Sequence, residues 1–462
     1  MKKSGRQRTE ARGARSAVCL VCLGLLGIPV YAWHGRFVSG ADTFISFPYE
    51  VAALGVFYLI GVWIAFRSKP AESKTAAVYI VLFFAVLYRL LLVPGQPTLS
   101  SDMYRYIWDG RVQARGINPY RYAPANKALE PLQDEAIYPH LNRHASPTIY
   151  PAGAQILFYT LNRLEITSVS GFKGVVVLFD IGSILVLTTL LAKLGFARER
   201  VLVYAWHPLV VFELGASGHL EGFVVFFVLL SLLLLIKARP LASVSSLALA
   251  ASLKLYPAVI LPAVLRDNKL RGCFLFAAIL FLLYLPYLGI GKGIAGFLPE
   301  YLGNPGESFN LGLKAYLLRL FPSLDPLVFT GIFAVIFLVA AGTVSIKAKD
   351  TASTLKLAYI LAGLYLVFAT ASLHPWYVIW IVPFLAFFPS PAWLYFTFAV
   401  SLSYLAYASP AGALPEWVRH VEYVPFLILL LGEYAVLLKS TGASFMWSPA
   451  GKKDPQSLQE PD

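Results

Sequence analysis

Apolar runs of about 17–22 residues recur along almost the whole chain, and each is long enough to cross a hydrocarbon core of about 30 Å as a helix. No other feature constrains the fold as tightly. A segment inside a bilayer must satisfy its own backbone N–H and C=O groups, which leaves helices or closed barrels. The runs are continuous rather than alternating, which argues against a barrel. Twelve spans are read near 17–34, 47–66, 76–94, 172–192, 200–215, 220–236, 270–289, 327–346, 355–372, 376–389, 392–409 and 422–438. A thirteenth apolar stretch, 241–265, is interrupted at "KLYPAVILP" and has basic flanks. It is predicted to be a re-entrant pair of half-helices. The expected fold class is therefore all-α: a polytopic integral membrane protein of about 12 transmembrane helices plus a re-entrant broken helix.

Only 14% of residues are charged, against about 25% in soluble domains. The net charge is +13. Most of the Lys and Arg residues lie in the short segments that alternate to one side, with the N-terminus on that side. The positive-inside rule thus accounts for the charge and sets the orientation, and no nucleic acid partner is expected. The layout follows: a cytoplasmic basic tail (1–16), a transmembrane domain (17–440) and a cytoplasmic polar tail (441–462). Two long loops, 95–168 and 290–325, face the periplasmic or outer side of a cell (inner) membrane. The first run is expected to be a retained signal anchor. Cys19 and Cys22 form a CxxC inside an apolar run, where nothing polar could complete a metal site. No nucleotide-binding motif is present on the cytoplasmic side.

The polar residues that look chemical gather on the outer face. The densest cluster is "SDMYRYIWDGR", residues 101–111, which opens the longest polar segment. Read as a helix over 101–109 capped by Ser101, it places Asp102, Arg105, Tyr106 and Asp109 on one face within about 100°. The remaining aromatics suit a membrane interface. A carboxylate beside a membrane is partly desolvated, which suits a general base acting on a hydroxyl. Arginine suits a phosphate. Tyr104, Arg105 and Arg111 are therefore candidate substrate contacts, and Asp102 and Asp109 candidate catalytic carboxylates. A solvated amphipathic helix lying on the bilayer is the bland alternative.

Further candidates lie along the same face. Arg89, near the outer end of its span, is an intramembrane charge and so a functional candidate, or it snorkels. His219 and Glu221 sit on the small-residue turn "GASGHLEG". Lys254 precedes the helix break and needs a partner, either a phosphate or a carboxylate. His374 precedes Pro375, Trp376 and Tyr377 at an outer helix end, where site lining and an interfacial belt are both open. Glu300, Glu307 and Asn310 of the second loop could touch an acceptor or be plain loop residues. His140 and His144 are spaced poorly for metal ligation.

Taken in order, "SDMYRYIWDGRVQARGINPYRYAP", "YPAGAQILFYTLNRL", "HPLVVFELGASGHLEG", "SLKLYPAVILP" and "HPWYVIWIVPFLAF" resemble the motifs of the GT-C superfamily, multi-pass transferases that use polyprenyl-phosphate sugars. The likeness covers most of residues 95–390 and is nearest to family 87-type and α-mannosyltransferase-like members. His207 and Ser217 stand where Asn is commoner, and Glu221 where Asp is. The leading acid is a single Asp102, so a metal role from D-x-D families is not carried over.

What the resemblance implies is an inverting transfer of a hexose, mannose as the modal guess, from a polyprenyl-phosphate sugar to an envelope glycan or glycolipid. Asp102 would be the base by motif match. No cofactor is implied, and a divalent metal stays open. Two alternatives stand: a transporter or flippase of lipid-linked sugars, and a pentose or O-antigen-type transferase. The single break near Lys254, without a symmetric counterpart, argues against the transporter.

Overall fold

The computed structural model describes residues 2–37, 40, 42–68, 75–265, 269–303, 309–310, 312–323, 325–347, 350–369, 372–409 and 413–439. Among these, every regular element is helical and none is a strand. Four helices are long and apolar enough to cross a membrane by length and composition: Ala14–Phe37, Asp42–Arg67, Val169–Lys193 and Lys269–Tyr301. Of the other predicted spans, 327–346 and 422–438 lie on the continuous helices Pro326–Lys347 and Glu416–Lys439, and the rest fall on shorter apolar helices or on interrupted ones. Residues 200–215 become Leu202–Ala205, Pro208–Val211 and a π-helical turn, Phe212–Ala216. Proline explains the first interruption: Pro208 lacks an N–H and can only start a helix. Pro375 starts the segment read as 376–389, and Pro383 interrupts it in the same way.

Of the first three helices, α1 (Lys2–Phe37) packs against both α2 (Asp42–Arg67) and α3 (Thr75–Leu92). Tyr88 of α3 donates to the Gly24 carbonyl of α1 at 2.8 Å, so a buried hydroxyl is satisfied across the seam. Arg89 does not snorkel. It is fully buried, ion-paired with Asp180 and bonded to the carbonyls of Ala85 and Ala205. Lys173 donates to the Leu92 and Gly95 carbonyls at 2.8 and 2.7 Å, closing the C-terminus of α3.

The opening cluster forms α4 (Asp102–Ala114), longer than predicted. Ser101 makes no side-chain cap; the Ser100 hydroxyl accepts from the Asp102 N–H instead, at 3.3 Å. Nor does α4 lie on a bilayer surface. Tyr106 and Trp108 are 0% and 1% exposed, covered by α5 (Ala152–Arg163) and by the 138–150 loop. An aromatic ring buries its large apolar area wherever a cover exists, and the outer loop is long enough to fold back and supply one. After α5 the chain enters α6 (Val169–Lys193).

The break in 241–265 falls where predicted. Helix Pro240–Leu253 stops at Lys254, whose backbone is extended (φ −145°, ψ 137°), and short turns follow over Tyr256–Ile260 and Leu261–Val264. Pro257 cannot continue the ladder, which forces the change.

Candidate functional site

A cavity of about 880 Å³ opens beside the N-terminus of α4, within the size range of small-molecule and cofactor sites. Its walls come from segments far apart in sequence. Thr98–Asp102 and Arg105 form one, Asn142–Arg143 and Pro147–Pro151 another, with the Lys254–Tyr256 break, Phe297–Tyr301 and His374–Tyr377 completing it. Apolar residues Phe44, Leu255, Val259 and Tyr407 also line it, and Leu255 and Tyr407 are each 46% exposed.

The two long loops, 95–168 and 290–325, meet at Gly296. Its φ of +54° suits glycine, and an added Cβ would stand 1.9 Å from the Thr148 carbonyl oxygen. Phe297 N–H then donates to that same carbonyl at 3.0 Å. Phe297 and Tyr301 present their rings to the Arg143 guanidinium, 5.1 and 5.8 Å away.

Asp102 occupies the first helical position of α4, where a carboxylate is favoured by the helix dipole. One oxygen accepts from Asn142 Nδ2 at 2.7 Å. The other lies 3.8 Å from His219 Nδ1. Its side chain retains 19% exposure, toward the cavity.

His219 reaches Asp102 because the chain turns sharply after the π-helical segment. Gly218 has φ +70°, and a Cβ there would collide with Met103 at 2.1 Å. The His219 ring stacks on Trp376 at 4.1 Å. Trp376 stacks on His374 at 4.4 Å, His374 on Phe309 at 4.6 Å, and Phe309 on Tyr407 at 4.8 Å. Both imidazoles are held neutral: burial, then Lys254 and Arg143, push His374 down to about 3. Burial, then Lys254 and His374, push His219 well below the ordinary imidazole range.

Lys254 lines the cavity and pairs with the buried Glu221 carboxylate. Its ammonium also lies 5.2 Å from the Tyr377 ring. Two buried donors on the lining, Tyr256 Oη and Trp376 Nε1, have no hydrogen-bond partner among the described residues. Buried polar groups left open in a cavity are where ligand oxygens bind.

The predicted residues therefore divide. Asp102, Tyr104, Arg105, Lys254 and His374 line the cavity, while His219 and Glu221 stand directly behind it. Tyr104 donates to Gln96 at 3.2 Å and stacks on His140. Asp109 is 2% exposed and does not reach the cavity: it takes Arg105 Nε at 2.9 Å and Gln155 Nε2 at 2.9 Å. Arg111 is also outside, paired with Asp134 at 2.7 Å, and Arg89 lies deep in the helix core with Asp180. Glu300 is exposed, Asn310 donates to Glu422 at 2.9 Å, and Glu307 lies outside the described residues. Among the described residues no group of three His, Cys, Asp or Glu side chains could hold a metal ion. Arg143, Asn142, Tyr256 and Tyr301 are lining residues that the sequence reading missed. Arg143 alone carried a signal, as a cation in an outer loop.

Residues 18–266 match the family described as alpha-(1->6)-mannopyranosyltransferase, N-terminal domain (MptA_B family). No curated protein matches the chain.

Proposed function

The chain belongs to the alpha-(1->6)-mannopyranosyltransferase family, and from that premise we propose that it transfers mannose from a polyprenyl-phosphate donor to a mannose-bearing envelope glycan or glycolipid. The observation that carries this reading is the position of Asp102: a carboxylate on the wall of a large cavity whose lining also holds Lys254 and Arg143. Transfer to a hydroxyl needs a base at the acceptor and positive charge at the departing phosphate. Asp102 takes the proton of the attacking hydroxyl. The acceptor oxygen bonds to the anomeric carbon while the bond from that carbon to the phosphate oxygen breaks, with inversion. The electron pair leaves with the polyprenyl phosphate, whose charge Lys254 and Arg143 meet. Tyr256 Oη and Trp376 Nε1 offer donors to sugar or phosphate oxygens.

On this reading the chain crosses the inner membrane about twelve times, with both termini cytoplasmic, the broken segment 241–265 re-entrant and the cavity on the outer face. The apolar lining residues accept the first isoprene units of a donor that never leaves the bilayer. Asp109 then holds the lining residue Arg105 in place rather than touching substrate. No metal takes part in the proposed step.

The test is mannosyl transfer by full-length protein in nanodiscs, from synthetic polyprenyl-phosphate mannose to an octyl α-(1→6)-dimannoside. Asp102→Asn is expected to lower kcat by about 10²–10⁴-fold, the range for a positioned general base, while the protein stays folded. Transfer by wild type is expected to survive EDTA; loss restored by Mg²⁺ or Mn²⁺ would overturn the metal-free part. A wild-type protein that transfers nothing from any polyprenyl-phosphate sugar, but moves lipid-linked sugar across a vesicle, would sink the transferase reading.

A further inference from the structure

We propose that His219 is a positioning residue for Asp102: a neutral imidazole donates from Nδ1 to the Asp102 carboxylate while the Glu213 carboxyl, carrying its proton, donates to Nε2, so that three residues form one aligned array. The inference rests on the reading of Asp102 as the base.

The geometry is specific. His219 is fully buried, and neither ring nitrogen has a hydrogen-bond partner among the described residues. Each nitrogen nevertheless faces a carboxylate, Nδ1 toward Asp102 Oδ2 at 3.8 Å and Nε2 toward Glu213 Oε2 at 3.4 Å. A buried neutral imidazole with Nδ1–H aimed at the Asp102 carboxylate and bare Nε2 aimed at a protonated Glu213 carboxyl is poised to close both gaps. Hydrogen bonds of this kind often tighten only when substrate binds. The array continues outward, since Tyr404 Oη donates to the second Glu213 oxygen at 2.7 Å. On the near side, Asn142 already fixes Asp102 Oδ1 at 2.7 Å. A donor on each oxygen sets the direction of the remaining lone pairs, and those lone pairs meet the acceptor hydroxyl.

The ring stack explains how a histidine keeps this aim. Its plane is fixed by Trp376, His374, Phe309 and Tyr407, with successive interplanar angles of no more than 27°. Rotation of the imidazole would break the stack. The titratable and charged groups facing His219 are Asp102, Glu213, Lys254 and His374, with Lys173 against Gly218 and Glu221 two residues further on. Burial, and then Lys254, oppose protonation of the ring, which keeps it a hydrogen-bond donor to an anion rather than a second cation.

The experiment separates ring from nitrogen. His219→Phe keeps the stacking surface and removes both nitrogens; His219→Gln keeps an N–H donor and removes the ring. Both are assayed with the nanodisc system and the same synthetic donor and dimannoside. His219→Phe is expected to lower kcat by about 100-fold with KM changed less than threefold. The acid limb of its kcat/KM profile is expected to move to higher pH, because a carboxylate that loses a donor is harder to ionise. His219→Gln is expected to recover part of kcat and return the limb toward wild type. His219→Phe at wild-type kcat, or both variants equally impaired with the limb unmoved, overturns the proposal. If His219→Phe does not purify folded, Glu213→Leu leaves the stack intact and carries the same expectation, and an unmoved limb there is equally fatal. Active wild type and inactive Asp102→Asn with a fully active His219→Phe refute the array alone. Full activity of Asp102→Asn refutes the base assignment, and the array with it.

Discussion

At the residue scale, the candidate site was legible wherever a chemical residue stood beside a break in regular structure. Asp102 follows the end of α3, Lys254 precedes Pro257, and His374 precedes Pro375. All three line the cavity. Trp376 and Tyr377 were divided between site and interfacial belt, and both turn inward to the lining. Asn142 was illegible as a site residue and Arg143 was marked only by its charge; the long-range fold of the loop carries both to the cavity. Lys254 gives the sharpest test at this scale. Lys254→Met leaves the Glu221 carboxylate buried without its cation, which destabilises by about 3–5 kcal/mol. Lys254→Met/Glu221→Gln is expected to regain most of that loss in thermal unfolding while mannosyl transfer stays impaired. Recovery of transfer along with stability would show that Lys254 serves structure alone.

At the element scale, periodicity found α4 but misplaced its environment. One face was read as polar and reactive, yet Arg105 and Asp109 satisfy each other within the helix at i,i+4 and Gln155 completes the carboxylate. A helical wheel shows which residues share a face and not what covers it. The broken segment was legible because proline acts locally; the π-helical turn before His219 was not, since no composition marks it. Gly296→Ala is expected to part the two long loops, given the left-handed backbone and the Thr148 carbonyl against it, with at least a tenfold rise in donor KM. The Arg111–Asp134 clip gives a pH-dependent outcome. Against the opposing effect of burial, the Ile137 N–H and the Arg111 guanidinium hold Asp134 below the usual carboxylate range. A depressed folded pKa contributes stability above the unfolded value of about 3.9 and loses it as pH falls through the folded one. Protease protection of the 115–135 loop is therefore expected to be unchanged from pH 8 to 5 and to weaken below about pH 4.

At the scale of the whole molecule, the membrane class was set by run length and hydropathy alone. The number of uninterrupted spans was not, because prolines and π turns divide several runs into pieces too short to cross unaided. The proposed orientation is tested by single cysteines in a protein lacking Cys19, Cys22 and Cys273. A cysteine at the exposed Glu135 is expected to react with an impermeant maleimide in intact spheroplasts, and one at Lys193 only after lysis. The reverse pattern would place the cavity on the cytoplasmic side.

On the proposed reading, the apolar edge of the cavity, lined by Leu255 and Tyr407, changes what concentration means for this protein. A lipid donor that enters across that edge arrives by lateral diffusion in two dimensions. Its relevant abundance is then a mole fraction in the bilayer or micelle, not a molarity in the tube. Adding detergent at fixed amounts of protein and donor should slow turnover by surface dilution, and adding buffer at a fixed lipid-to-detergent ratio should not.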